Sequence, residues 1–175
     1  MIITAGKFKG RKITAPNENI TRPTLSKVRM SVFNTLQSLV EFQGRSFLDM
    51  FAGSGIMGLE ALSRGFANVT AIEKNPKAAN IIKSNFKKFE NPPKLIIADS
   101  LKTKLTQKFD VIYIDPPYFA GIYEASLNAI KDNAVGIVIL EHVTEVDFQG
   151  FEAIKQKKYG DKFITFLQIT KDNCL

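Results

Sequence analysis

A chain of 175 residues, 45% hydrophobic and 23% charged, is long enough to bury a core and too apolar to stay disordered. It has no apolar run of membrane-span length and no signal-peptide core after Met1-Ile2-Ile3, and its single cysteine, Cys174, allows no internal disulfide or cysteine-zinc site. The expectation is a cytoplasmic, metal-free protein whose net charge of +7 is concentrated at one end: residues 1–29 hold Lys7, Lys9, Arg11, Lys12, Arg22, Lys27 and Arg29 against one acid, Glu18.

Residues 2–4 and 12–15 read as a hairpin around Gly6 and Gly10, with Phe8 set among the cations. Cations with an interleaved aromatic suit a phosphate backbone and an exposed base. The plainer alternative is a solvated basic hairpin. Residues 16–23 read as a loop. Thr24 is placed to cap a helix whose apolar face runs through Val28, Val32 or Phe33, Leu36, and Leu39 or Val40, with Gly44 ending it. From there β-rich runs near 46–50, 69–73, 94–98, 109–115 and 135–141 alternate with helical patterns near 55–64, 77–88 and 121–132. That succession predicts an α/β fold with a parallel sheet wrapped by helices. Residues 151–158 and 162–169 flank Tyr159-Gly160-Asp161 and read as a closing antiparallel hairpin. The expectation is one domain over 1–175, with a basic N-terminal extension over 1–45 and a catalytic core over 46–175.

Two motifs carry chemistry. The first strand runs into Asp49-Met50-Phe51-Ala52-Gly53-Ser54-Gly55-Ile56-Met57-Gly58. Glycines at this spacing let the backbone turn tightly beside a ligand, although alone they fit NAD, FAD or a plain loop. Acids then recur at strand tips: Asp49, Glu73, Asp99 and Asp115. In an open parallel sheet those tips face the ligand crevice. An acidic edge does not suit a pyrophosphate. It suits a ligand with a positive centre, a ribose and an adenine, as in S-adenosylmethionine. Asp49 is then expected near the amino group and Phe51, Ala52, Gly53, Ser54 and Gly55 along the methionine part. Glu73 and Lys74 are expected at the ribose, and Asp99 with Ser100 at the adenine. The second motif is Asp115-Pro116-Pro117-Tyr118, directly after an apolar strand. Two prolines hold a stiff, extended backbone with free carbonyls. A carboxylate, a carbonyl and a ring side by side form a receptor for an amino group on a planar base. The lone His142 reads as a strand-end residue.

Together these motifs resemble class I S-adenosylmethionine-dependent methyltransferases that modify exocyclic amines. Gly6-Lys7-Phe8-Lys9-Gly10-Arg11-Lys12, Arg22-Pro23-Thr24, Lys27-Val28-Arg29 and Phe33-Asn34 narrow the resemblance to one bacterial family, the 16S rRNA (guanine(966)-N(2))-methyltransferases. Leu59-Glu60-Ala61-Leu62-Ser63-Arg64-Gly65 agrees, and the likeness extends to Tyr159-Gly160. The chain departs from it at Ser26 and Met30, where the family often carries acids. The resemblance implies a Rossmann-like fold with a mostly parallel seven-stranded sheet. It also implies methylation of the N2 amine of a guanine in small-subunit rRNA or its assembly intermediate. The sequence offers no obvious helix seam for a dimer, so a monomer is expected. In that reading Asp115 and the Pro116 carbonyl orient the amine, Tyr118 stacks on the base, and the seven N-terminal cations bind RNA. The rivals are an N6-adenine or protein-glutamine methylase, a nicotinamide dehydrogenase, and a catalytically silent RNA-binding protein.

Overall fold

Strands buried on both faces must be apolar almost throughout, with successive side chains entering opposite layers. The computed structural model, which describes residues 1–16 and 26–170, follows that rule. Its elements are α1 (Ser26–Gln37), β1 (Ser46–Asp49), α2 (Ile56–Ser63), β2 (Asn68–Glu73), α3 (Pro76–Phe86), β3 (Lys94–Ile97), β4 (Phe109–Ile114), α4 (Ile122–Ile130), β5 (Ala134–His142), β6 (Phe151–Tyr159) and β7 (Lys162–Ile169). The seven strands form one sheet in the order β3-β2-β1-β4-β5-β7-β6. The first five pair in parallel and β7 runs antiparallel between β5 and β6.

Odd-numbered strand residues such as Phe47, Val111, Tyr113 and Ile139 pack with α1, α2 and α3. Even-numbered ones such as Leu48, Ile112, Ile114 and Val138 pack with α4 on the other side. In the antiparallel β7, Ile164 and Phe166 join the first layer and Leu167 the second. No described helix is long and apolar enough to cross a membrane.

The N-terminal segment belongs to the first layer. Ile3 and Ile13 are buried with Phe33 and Leu36. The expected hairpin reduces to a single bridge, Ile2 to Lys12. Its middle follows α2 instead: the Lys7 N–H donates to the Ser63 carbonyl at 2.7 Å and the Phe8 N–H to Ser63 Oγ at 2.9 Å. Gly6 has φ +80°, and a Cβ there would lie 1.8 Å from the Ser63 carbonyl oxygen, so this approach needs glycine. Helix α1 stops at Gln37, well before Gly44. Ser38 and Leu39 tighten into turns onto the Thr35 and Leu36 carbonyls. That bend brings Phe42 onto Phe66, with ring centroids 4.7 Å apart. Arg22, the Thr24 cap and Cys174 lie outside the described residues.

Candidate active site

A parallel sheet sets the carboxyl ends of its strands along one edge, and the acids sit there. Asp49 closes β1, Glu73 closes β2, Asp115 follows β4 and Asp99 stands just past β3. Asp49, Glu73, Tyr113 and Glu141 all have the parity of the α1–α3 layer, so their side chains converge on one side of that edge.

The glycine turn is pinned from several sides. The Met50 N–H donates to the Tyr113 carbonyl at 3.0 Å and the Ala52 N–H to the Ile72 carbonyl at 2.9 Å. Glu73 accepts the Gly53 N–H at 2.8 Å on one oxygen and the Asn75 N–H at 2.7 Å on the other. Thus Glu73 ties the turn to the tip of β2. Gly53 and Gly55 have φ of 55° and 76°. At Gly55 a Cβ would also meet Phe86 at 2.9 Å, so this glycine serves the packing of α3 as well as the turn.

Asp49 is 1% exposed, and neither of its oxygens has a hydrogen-bond partner among the described residues. Burial pushes its carboxyl up to about 8, with Asp115 and Glu73 adding to the rise. The backbone N–H groups of Gly58 and Phe51 oppose it without completing a hydrogen bond. A buried acid in this state lacks a cation. An ammonium or sulfonium brought to this edge supplies one, so the residues fit S-adenosylmethionine. Phe51 packs into the α4 layer, Ala52 and Ser54 are buried in the turn, and Lys74 is exposed beside Glu73. Asp99 turns its carboxylate onto the Leu101 N–H at 3.1 Å. The Ser100 hydroxyl donates to the Met50 carbonyl, which clips this loop under β1.

Beyond β4, Pro116 is buried, Pro117 is exposed, and the rings of Tyr118 and Phe119 are 43% and 53% exposed. Asp115 Oδ1 lies 3.3 Å from Lys162 Nζ. Lys162 also donates to Glu141 at 2.5 Å, and Glu141 accepts the Tyr113 hydroxyl. Sequence reasoning passed over Tyr113, Glu141 and Lys162. The available signal was Glu141 itself, a carboxylate ending the apolar run Val135-Gly136-Ile137-Val138-Ile139-Leu140, which must be paired if buried.

The N-terminal cations lie elsewhere. In a parallel α/β sheet the helices run back toward the amino ends of the strands. The arm's tip is held at the carboxyl ends of α2 and α3, where Lys7 pairs with Glu90 at 3.5 Å and Arg11 donates to the Lys88 carbonyl at 3.1 Å. The Arg11 guanidinium lies 5.1 Å from the ring centroids of both Phe8 and Phe89. This is the sheet edge opposite Asp115. Lys9, Lys12 and Lys27 are exposed. Arg29 is not on that basic surface. It is 1% exposed, donates to the Ile2 carbonyl at 2.7 Å and stands 3.6 Å from Glu60.

The strand order, the terminal antiparallel hairpin and an acidic edge beside a glycine turn define a Rossmann-like class I methyltransferase fold. An Escherichia coli structure, the candidate methyltransferase yhhF, superposes with a TM-score of 0.86 at 25% identity, covering 98% of this chain and 99% of that one. The chain belongs to the family described as conserved hypothetical protein 95, whose model matches residues 1–168, and to the small-subunit rRNA methyltransferase family that its motifs resemble. It is 33% identical over 134 residues to the ribosomal RNA small subunit methyltransferase D of Escherichia coli, covering 75% of this chain and 67% of the relative. It is 35% identical over 158 residues to YlbH of Bacillus subtilis, a candidate rRNA methyltransferase, covering 84% and 85%.

Proposed function

We propose that this protein transfers a methyl group from S-adenosylmethionine to the exocyclic N2 amine of a guanine in small-subunit rRNA, guanine 966, as a monomer in the cytoplasm. The observation that carries the reading is the placement of Asp115-Pro116-Pro117-Tyr118 on the same sheet edge as the buried Asp49, which has no hydrogen-bond partner among the described residues, and the Glu73-tethered glycine turn. The relatives named for small-subunit rRNA methylation support the substrate class.

S-adenosylmethionine, when bound, supplies an electrophilic methyl on a sulfonium. The protein's part is to hold and aim. Asp49 meets the amino group, Glu73 the ribose, and Asp99 with Ser100 the adenine. A guanine N2 amine is a poor nucleophile because its lone pair is delocalised into the ring. The Asp115 carboxylate and the Pro116 carbonyl accept its two N–H groups and turn the lone pair toward the methyl. Positioning of this kind supplies most of the rate when reacting atoms are held about 3–3.5 Å apart. Tyr118, half-exposed, is free to stack on the base. Stacking returns about 1–3 kcal/mol against a few kcal/mol for extruding a paired base, so an unpaired target is preferred. Lys7, Lys9, Arg11, Lys12, Arg22 and Lys27 hold flanking RNA.

The test is tritium transfer from labelled S-adenosylmethionine into small ribosomal subunits that lack their own mark, followed by nucleoside analysis. N2-methylguanosine is the expected product. Label in N6-methyladenosine or in protein glutamine would replace this reading with one of its rivals.

A further inference from the structure

One polar group in the interior has no part in the chemistry just described. Glu141 is fully buried near the end of β5, and a carboxylate taken out of water must be paired to stay charged. It accepts the Tyr113 hydroxyl on one oxygen and the Lys162 ammonium on the other. Lys162 opens β7, one residue past the turn at Gly160-Asp161. From there its Nζ reaches Asp115 Oδ1 at 3.3 Å and stands 5.7 Å from the centroid of the Tyr118 ring. A cation within about 6 Å of a ring face is attracted to it. One ammonium therefore touches a buried anchor, the acid proposed to hold the amine and the ring proposed to stack on the base.

We propose that Lys162 is a positioning residue for methyl transfer: clamped from behind by Glu141 and Tyr113, it keeps Asp115 an ionised acceptor and holds Tyr118 beside it. This rests on the reading of the site given above. A purely structural pair would need only Lys162 and Glu141, and apolar residues would serve as well. The third contact, to an acid that remains 19% exposed at the reaction edge, is what a structural pair does not require.

The surroundings of Asp115 explain why a cation is needed. It interacts electrostatically with Asp49 from β1, Tyr113 from its own strand and Tyr123 from α4. These are an acid and two phenols. Lys162 is a cation set among them, and although burial works against its charge, Asp115 and Glu141 outweigh burial and raise its pKa. Without it Asp115 takes up a proton more readily and offers the amine an O–H where it needs an acceptor. During transfer the amine nitrogen gains the methyl carbon, the carbon–sulfur bond breaks with its electron pair left on sulfur, and one amine proton must depart. An Asp115 stabilised as an anion accepts a hydrogen bond from that N–H but keeps the proton poorly, so it passes on to water.

The experiment compares the wild type with Lys162→Met, Lys162→Arg and the double variant Lys162→Met/Glu141→Gln, which leaves no unpaired buried charge. Turnover is measured on unmethylated small subunits with tritiated S-adenosylmethionine, and cofactor affinity by calorimetry. Lys162→Met is expected to lose about ten- to a hundredfold in kcat, with KM for subunits and cofactor affinity within about twofold. The acid limb of its kcat–pH profile moves upward. Lys162→Arg restores most of the rate, and the double variant folds yet stays slow. A separate arm needs no RNA: the 13C-carboxyl titration of Asp115 in the free protein moves upward in Lys162→Met and the double variant. An unmoved titration, or a double variant as fast as wild type, overturns the proposal. Wild-type protein that leaves subunits unlabelled while the titration still moves refutes the substrate reading instead and leaves the clamp standing.

Discussion

Two buried charge clusters lie in the same layer of this molecule and are built on opposite principles. Behind α2, Glu60 is fully buried and saturated: one oxygen accepts the Thr4 N–H at 2.6 Å with Arg29 at 3.6 Å, and the other meets Arg64 at 3.4 Å. Two guanidiniums and a backbone amide serve one acid. At the carboxyl edge the ratio is inverted: Asp115 and Glu141 share Lys162, and Asp49 stands near Asp115 and Glu73. Asp49 there has no hydrogen-bond partner among the described residues. A saturated cluster joins elements: Glu60 fastens the N-terminal segment and α1 to α2. An acid-rich cluster lacks balancing cations, and the proposed S-adenosylmethionine would bring one.

The contrast breaks most visibly under substitution at its two centres. Arg29→Met leaves Glu60 buried with less than its full complement of charge. Removing one partner of a buried pair costs about 3–5 kcal/mol, read as a lower urea midpoint, while the folded remainder should bind S-adenosylmethionine as before. Asp115→Ala is the converse: folding stability close to wild type, cofactor affinity within about twofold, and kcat lower by at least about a hundredfold. If Arg29→Met chiefly damaged turnover, or Asp115→Ala chiefly damaged stability, the two clusters would not be doing separate jobs.

Asp49 sharpens the same point through pH. Its folded carboxyl stands at about 8 against an ordinary value of 3.8, so between those values the ligand-free folded state binds more protons than the unfolded chain. The stability that neutral Asp49 contributes is fully present below about pH 4 and is lost as pH rises through 8. Asp49→Asn, which cannot ionise, should flatten this decline in thermal midpoints taken across that range. Because a cationic ligand favours the ionised acid, binding of S-adenosylmethionine at pH 7 should release protons, visible as a dependence of calorimetric heat on the buffer's ionisation enthalpy. Asp49→Asn abolishes that dependence.

Much of the acid edge was legible beforehand because strand tips in a parallel sheet share an edge whatever packs around them. Apolar runs ending in Asp49, Glu73 and Asp115 needed only that topology. The clamp at Lys162 was not legible, because it depends on the register of β7 against β5, with His142 opposite Phe163, and register across a hairpin is not written in either strand alone. Arg29 misled for a related reason. In sequence it is one cation among seven, whereas in space it is the partner that Glu60 requires, and nothing local distinguishes a lysine-like surface charge from a buried arginine. The early end of α1 is likewise a tertiary effect, set by where Phe42 has to pack.

Smaller effects test the edges of the comparison. Glu73→Gln keeps an acceptor for the Gly53 N–H but drops the charge offered to the ribose, so cofactor affinity should fall by about tenfold, the loss of one charge-assisted hydrogen bond, with little change in kcat at saturation. An unchanged dissociation constant by calorimetry would remove Glu73 from the cofactor.

The N-terminal cations should give the mildest effect and the one most dependent on conditions. Strands of four to six residues span about 13–20 Å, and the arm's tip lies across that distance from Tyr118. Neutralising Lys7, Lys9 and Lys12 together to Gln therefore should leave kcat intact and raise KM for the ribosomal substrate. If each meets one phosphate of unpaired RNA, the slope of log affinity against log salt falls by about 2. Lys7 also pairs with Glu90, but both side chains are largely exposed, and such a pair adds little to folding. A triple variant with unchanged salt slope would assign these cations to solubility, whereas one with reduced kcat would mean that the far edge communicates with Asp115 through the sheet.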